Sequence, residues 1–283
     1  MDYVLIGEIL AGLMFFGEIG MMMLGFPVAF SLAGTSLIFG AIGYYFEVFD
    51  FSNLASLAGR YIGFMTNEVL VSVPLFIFMG VMLERSKIAE ELLLTMGKLF
   101  GNVRGGLGIS VILVGALLAA STGVVGATVV TMGLISLPAM LRAGYDPKLA
   151  SGVICASGTL GQIIPPSTVL IFMADMLAGI NSQVQMSKGN FAPTPVSVGD
   201  LFAGAFLPGM LLVLLYLGWM VFKAIFDPKS CPATPFSTEE KKGIFKEVIT
   251  AMVPPLLLII AVLGSIIGGI ATPTEAASVG ACP

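Results

Sequence analysis

The stretch Gly158–Ile171, GTLGQIIPPSTVLI, lies inside an apolar run, Leu149–Ile180, long enough to cross a bilayer. A spanning helix takes about 20 mostly apolar residues. This run carries two adjacent prolines, two glycines, a glutamine and a Ser-Thr pair at its middle. A proline inside a helix removes a hydrogen bond and clashes with the carbonyl four residues back, at about 3 kcal/mol or more. Pro166 also pushes Pro165 out of helical geometry. Together they free the carbonyls near Gly161 and Gln162, and Gly158 and Gly161 loosen the preceding turn. Ser167 and Thr168 stand where a new helix starts, as candidate caps. The segment reads as two half-helices joined by unwound chain. A simple proline kink in a packed helix is the competing reading; Pro254-Pro255, without flanking glycines or hydroxyls, reads that way.

Irregular backbone at membrane depth is tolerated only where it is buried in protein or lines a cavity. The rest of the chain puts it at membrane depth. The 283 residues are 57% hydrophobic and 11% charged, with mean hydropathy +1.01, against about 25% charged in a soluble domain. The expected fold is an all-α polytopic membrane protein. There is no histidine, which removes histidine metal sites, haem ligation and histidine proton relays. Cys155, Cys231 and Cys282 are far apart, with no CxxC spacing for a metal or redox pair. The net charge of −4 comes with no basic patch for nucleic acid. The N-terminus lacks a basic region and an A-x-A cleavage site, so it reads as a first span.

Spans are expected at Val4–Leu24, Pro27–Phe46, Val69–Leu83, Leu201–Phe226 and Val248–Ile267, with Pro27 in a first-turn position. Ser52–Met65 reads as a surface helix on the spacing of Leu54, Leu57, Tyr61 and Met65. Ser86–Phe100 is amphipathic, with Ile88, Leu92, Met96 and Leu99 on one face and Lys87, Glu90, Glu91 and Lys98 off it. It reads as an interfacial arm helix. Pro138–Lys148 reads as a polar turn and Asn181–Gly199 as an outer polar loop, a plain solvated linker by default.

Ile109–Ile135 is apolar but is interrupted by Ala119-Ala-Ser-Thr-Gly-Val-Val-Gly126. Lysines and arginines gather on the cytoplasmic side of a membrane protein. If this segment enters and leaves on one side, eleven of the 13 positive residues share a side, with Arg60 and Lys188 opposite. A full crossing splits them worse. The charges therefore favour a re-entrant hairpin with Ser121, Thr122 and Gly123 at its tip, and an N-terminus on the outer, periplasmic side of the membrane. Gly115, Ala119, Gly123 and Ala127 form a small-residue row that permits close packing. That row suits a single long transmembrane helix as well. Ser121 or Thr122 is placed to cap the returning arm.

A broken helix presents carbonyl oxygens at the end of its first half, which suit a sodium ion. It presents amides and positive dipole at the start of its second half, which suit a carboxylate. Glu8, Glu18 and Asp175 stand in apolar surroundings and are functional candidates by default, though charges near span ends commonly reach the interface.

LLAASTGVVGATVVTMGLISLPAMLRAGYDPKLASGVICASGTLGQIIPPSTVLI (Leu117–Ile171) closely resembles the large membrane (permease) subunit of tripartite ATP-independent periplasmic (TRAP) transporters, in the ion-transporter superfamily. LGFPVAF (Leu24–Phe30), VPLFIFMGVML (Val73–Leu83) and GGIATPTEAASVGA (Gly268–Ala281) match the same family in order. The resemblance implies sodium-coupled uptake of an organic acid, a C4-dicarboxylate or similar carboxylate, by an elevator motion in the bacterial inner membrane. It implies two partners, a small membrane subunit and a periplasmic substrate-binding protein, and no cofactor beyond Na+ as coupling ion. It assigns sodium binding to Ser121, Thr122, Gly123, Gly158, Thr159 and Gly161. Substrate binding falls to Gln162, Pro165, Pro166, Ser167 and Thr168.

The family's subunit has two inverted repeats, each with a hairpin and a discontinuous transmembrane helix; this sequence contains one set and reads as the N-terminal half only. The layout follows: scaffold helices at 1–85, an arm helix at 86–104, and a transport-type segment at 105–180. That segment comprises a re-entrant hairpin at 105–137 and a broken helix at 147–180. A periplasmic loop at 181–200, two further transmembrane helices at 201–267, and the start of a second repeat at 268–283 complete it. The alternative readings are a non-transporting half or assembly subunit, and a membrane enzyme. The enzyme reading lacks a nucleophile–base pair or an acidic metal motif.

Overall fold

The computed structural model of the chain describes residues 3–50, 52–86, 88–123, 125–192, 195–233 and 244–281. Every regular element among them is helical. Five stretches are long and apolar enough to cross a membrane: Tyr3–Met23, Val28–Tyr45, Thr168–Ser187, Val198–Phe226 and Glu247–Ile267. The chain is an all-α polytopic membrane protein. It divides into two compact units, residues 1–66 and 67–283.

The first unit holds α1 (Tyr3–Met23), α2 (Val28–Tyr45) and α3 (Ser52–Thr66). No residue of α1 is buried within the chain, as expected of a helix whose apolar surface faces lipid. Gly17 lets α1 approach α2 closely: a Cβ there would stand 3.1 Å from the Phe39 ring. Pro27 is the residue before α2, one position earlier than expected, with ψ 135°. Its fixed φ suits this extended entry as well as a first helical turn. Leu54, Leu57 and Tyr61 of α3 close an apolar cavity of about 800 Å³ with α1 and α2.

The second unit runs α4 (Glu68–Arg85), α5 (Ile88–Phe100), α6 (Gly106–Thr122), α7 (Val125–Arg142), α8 (Pro147–Thr159), a 3-10 turn Leu160–Gln162, α9 (Thr168–Ser187), α10 (Val198–Phe226), α11 (Ile244–Ile267) and α12 (Pro273–Ala281). Local chemistry fixes several of these starts. The Asn67 side chain accepts from the amides of Val69 and Leu70 to begin α4. Asp146 caps α8, and Pro147 fills the first turn, where no amide is needed. Ser197 and Asp200 form a reciprocal capping box on α10.

Two apolar clusters hold the unit together. One packs Val111, Ile112, Met132, Ile154, Leu160 and Met220 around the α6–α7–α8 group. The other packs Phe76, Ile171, Phe202, Leu263 and Ala277 from α4, α9, α10, α11 and α12. Leu160 and Ile171 lie on either side of the break, so the interrupted run serves both clusters. In the arm helix α5 the buried face runs through Leu92, Leu93 and Met96, while Leu99 stays 40% exposed.

Two boundaries differ from the sequence reading. α7 continues through Pro138 to Arg142, so the polar turn begins later than Pro138. The proline removes one intrahelical bond, and fully buried Met140 anchors the turn that follows it. α9 continues through Ser187, taking in the first residues of the stretch read as an outer loop. Pro254 and Pro255 both sit inside α11, which does not break there.

Candidate functional site

α6 and α7 pack against each other, and the chain reverses at Gly123. Gly123 has φ +59°, the left-handed region that only glycine enters without a penalty. Ser121 and Thr122 are the last residues of α6, so they close the outgoing arm, and the returning arm resumes at Val125. The side chains of Ser121 and Thr122, and the whole of Val124, lie outside the described residues.

The two ends of the hairpin meet at one end of the unit. The Gly105 amide donates to the Cys231 carbonyl at 3.0 Å, and the Asp146 amide donates to the Ser230 carbonyl at 3.0 Å. Both acceptors belong to the short segment after α10. The start of α6, the start of α8 and the end of α10 are thus tied together, and Arg104, Lys148 and Lys229 each stand within two residues of one of these tied positions. In the same segment, the Ser230 hydroxyl and the Lys223 ammonium hold the Asp227 carboxyl below the usual carboxylate range. Burial pushes the Tyr145 phenol up to about 12.

Gly123 meets the broken helix. Gln162 Nε2 donates to the Gly123 carbonyl at 3.0 Å, and Thr168 Oγ1 donates to the same oxygen at 3.2 Å. A Cβ on Gly123 would lie 3.1 Å from the Pro166 carbonyl and 3.7 Å from the Thr168 amide nitrogen. The hairpin tip therefore stands over the start of α9. Ser167 caps α9, accepting from the Leu170 amide at 3.4 Å. It also donates to the Gln162 carbonyl at 2.8 Å, so one carbonyl expected to be freed by the proline pair is satisfied by a hydroxyl across the break. The Pro165–Pro166 peptide is cis. Gln162 Oε1 is buried and has no hydrogen-bond partner among the described residues. A buried acceptor left unmet costs about 1–3 kcal/mol, and a hard oxygen is what an alkali cation takes.

Gly123, Gln162, Pro166, Ser167 and Thr168 are thus brought together, with Gly161 and Pro165 buried in the same unwound segment. Gly158 and Thr159 stand apart. Gly158 is a packing contact, where a Cβ would lie 2.3 Å from Val129 Cγ2 of α7. Thr159 is exposed and donates to the Ala156 carbonyl of its own helix at 2.7 Å. The small-residue row has a matching use at Gly115, where a Cβ would stand 2.6 Å from Ser157 Cβ of α8.

Asp175 has a partner the sequence did not suggest. Its carboxylate accepts from Asn67 Nδ2 at 2.8 Å, while Asn67 Oδ1 caps α4. Asn67 was legible as a cap before an apolar run; its second contact spans 108 residues and has no local signal. Glu8 is exposed and Glu18 half-buried on α1. No group of three or more candidate metal ligands occurs among the described residues.

Comparison with known proteins points in one direction. Residues 15–282 match the family described as "Tripartite ATP-independent periplasmic transporter, DctM component". The C4-dicarboxylate TRAP transporter large permease protein DctM of Vibrio cholerae is 34% identical over 95% of the chain and 53% of its own length. The protein of the same description from Pseudomonas aeruginosa is 32% identical over 83% of the chain and 50% of its own length. An ectoine TRAP transporter large permease protein, TeaC of Halomonas elongata, is 29% identical over 92% of the chain and 55% of its own length. The chain spans about half the length of these relatives.

Proposed function

This chain belongs to the DctM component family of tripartite ATP-independent periplasmic transporters, and from that premise we propose that it supplies one hairpin and one broken helix to a sodium-coupled importer of an organic acid. The observation that carries the reading is the meeting at Gly123. One carbonyl gathers two donors from the unwound segment, and beside it Gln162 Oε1 is buried without a partner among the described residues. A sodium ion would take that oxygen together with backbone carbonyls at the end of α8 and the tip, from Ser121 to Gly123. A substrate carboxylate would sit at the start of α9, between Gln162 and Thr168, where the helix dipole favours negative charge.

The relatives' names mention C4-dicarboxylate and ectoine; a C4-dicarboxylate or similar carboxylate is the proposed cargo here. A periplasmic binding protein would deliver it, and a small membrane subunit would accompany this chain in the bacterial inner membrane, with the N-terminus outside. The two hairpin ends held at one end of the unit support entry and exit on the same side. The hairpin and broken helix form one packed group through Gly115, Ser157, Gly158 and Val129, which suits an elevator body that moves as a piece. The driving force would be the sodium gradient plus voltage, about 2.3 kcal/mol per charge per 100 mV.

The test is uptake of a labelled C4-dicarboxylate into proteoliposomes holding the full protein with its small subunit and binding protein. Uptake should need an inward sodium gradient, and Ser121→Ala or Gln162→Leu should raise the sodium requirement. Equal uptake with sodium replaced by choline would sink the coupling. An unchanged sodium dependence in both variants would remove those residues from the site.

A further inference from the structure

A second polar feature lies away from the hairpin tip, between the arm helix and the other end of the hairpin. An open cavity of about 330 Å³ lies between α5, α6 and α7. Its walls are apolar, with Leu94 and Ile135 among them, and Lys98 and Arg142 both line it. Lys98 is in the last turn of α5 and Arg142 in the last turn of α7, so both cations sit where the hairpin's two ends are gathered. Among the described residues no carboxylate lines the cavity. Ser136, which also lines it, is 5% exposed, and its hydroxyl has no hydrogen-bond partner among the described residues. The neighbouring Ser110 is satisfied, donating to the carbonyls of Met96 and Gly106 at 2.8 and 3.0 Å. An unmet buried donor, two cations and no counter-charge are together a description of an anion site. A guanidinium fork fits a phosphate, and an ammonium adds a point charge.

We propose that this cavity binds the phosphate headgroup of an anionic phospholipid, seated between the arm helix and the hairpin. The phosphate oxygens would accept from Arg142 and Lys98, and Ser136 would donate to a phosphate or ester oxygen deeper in. The apolar walls would take the start of an acyl chain, and this is what favours a lipid over a free phosphate. α5 is amphipathic with Leu94 half-exposed at 52%, as in a helix lying along a membrane interface. The lipid would join α5 to α7 through a shared ligand. The proposal does not rest on sodium coupling or on the cargo.

Native mass spectrometry of the full chain in detergent tests it, with phosphatidylglycerol, phosphatidylcholine and inorganic phosphate as probes. Phosphatidylglycerol should be retained preferentially. Near a charged surface each Lys or Arg contributes about 1 kcal/mol, so Arg142→Gln should weaken its binding roughly fivefold and Lys98→Gln with Arg142→Gln about 25-fold. Ser136→Ala should weaken it by roughly fivefold, one hydrogen bond's worth. Lys188→Gln, a cation elsewhere on the chain, should leave it unchanged, and Arg142→Lys should retain most of it. Should the double variant fail to fold, the single variants carry the same comparison. Equal retention of phosphatidylcholine, or binding indifferent to Lys98, Arg142 and Ser136, would overturn the site. Inorganic phosphate binding with the same cation dependence, in the absence of any lipid preference, would overturn the lipid assignment.

Discussion

Gln162 Nε2 donates to the carbonyl oxygen of Gly123 at 3.0 Å, across 39 residues of sequence. This bond joins a turn that glycine adopts without strain to a segment that two prolines keep out of helical geometry. Each side holds the other in place. Gln162→Leu should leave the Gly123 carbonyl with Thr168 alone and cost about 1–3 kcal/mol. Gly123→Ala should cost a similar 1–2 kcal/mol or so, from left-handed strain and from the close approach to the Pro166 carbonyl. Thermal melting in detergent reads both. A Gly123→Ala protein as stable as the parent would mean that the turn is not held as described.

Two glycines of α8 make opposite predictions. A Cβ at Gly158 meets Val129 Cγ2 at 2.3 Å and its Cα at 3.2 Å, whereas a Cβ at Gly152 meets nothing within 4 Å. Gly158→Ala should lose about 1–3 kcal/mol by overpacking. Gly152→Ala should gain roughly 0.5–1 kcal/mol by raising helix propensity. Melting temperatures shifting in the same direction for both would contradict the assigned helix face.

The contact between Asn67 and Asp175 makes an energetic coupling. Asn67→Ala removes a helix cap and should cost about 0.5–2 kcal/mol. Asp175→Ala leaves the cap residue but frees its amide. A double-mutant cycle should give a coupling of about 0.5–3 kcal/mol, as for residues in one hydrogen-bonded network. Strict additivity would show that the carboxylate and the cap act separately.

Tyr145 sets an alkaline limit. Its phenol is raised from 10.0 to about 12 in the folded protein by burial. In the unfolded chain it ionises near 10 while the native state still holds its proton. The native state therefore binds more protons in this window, and stability falls as pH rises. The contribution is whole below about pH 10 and lost by about pH 12, on the order of 2 kcal/mol. Absorbance of tyrosinate against pH, with Tyr145→Phe as reference, should show one phenol titrating late. A stability profile flat from pH 9 to pH 12 would remove this group from the account.

Much of the architecture was legible in the sequence because its signals are local. Pro165, Pro166, Gly161 and Ser167 mark the break within a few residues of one another, and Gly123 marks the reversal between two apolar arms. The signals weaken where polar residues continue a helix. Pro138 looked like the start of a turn, but the loss of one bond is outweighed by burial of Met140 in the next turn. The helix α9 runs on through Gln183 and Gln185 because neither residue opposes helix strongly. The directions taken by Gly158 and Thr159 carried a similar difficulty. One-dimensional proximity to the break does not say which way a side chain faces, and in the fold Gly158 faces α7 while the Thr159 hydroxyl turns back to Ala156.

What the sequence determined by itself was the bilayer as solvent and the positions of the breaks. These follow from hydropathy and from proline and glycine stereochemistry, which act residue by residue. Only the tertiary structure decided which broken ends meet. It set the Gly123 carbonyl between Gln162 and Thr168, left Gln162 Oε1 and Ser136 Oγ without partners among the described residues, and tied Asn67 to Asp175. Those relations depend on chain closure over tens of residues, where direction and distance are set by packing, and no local preference encodes them.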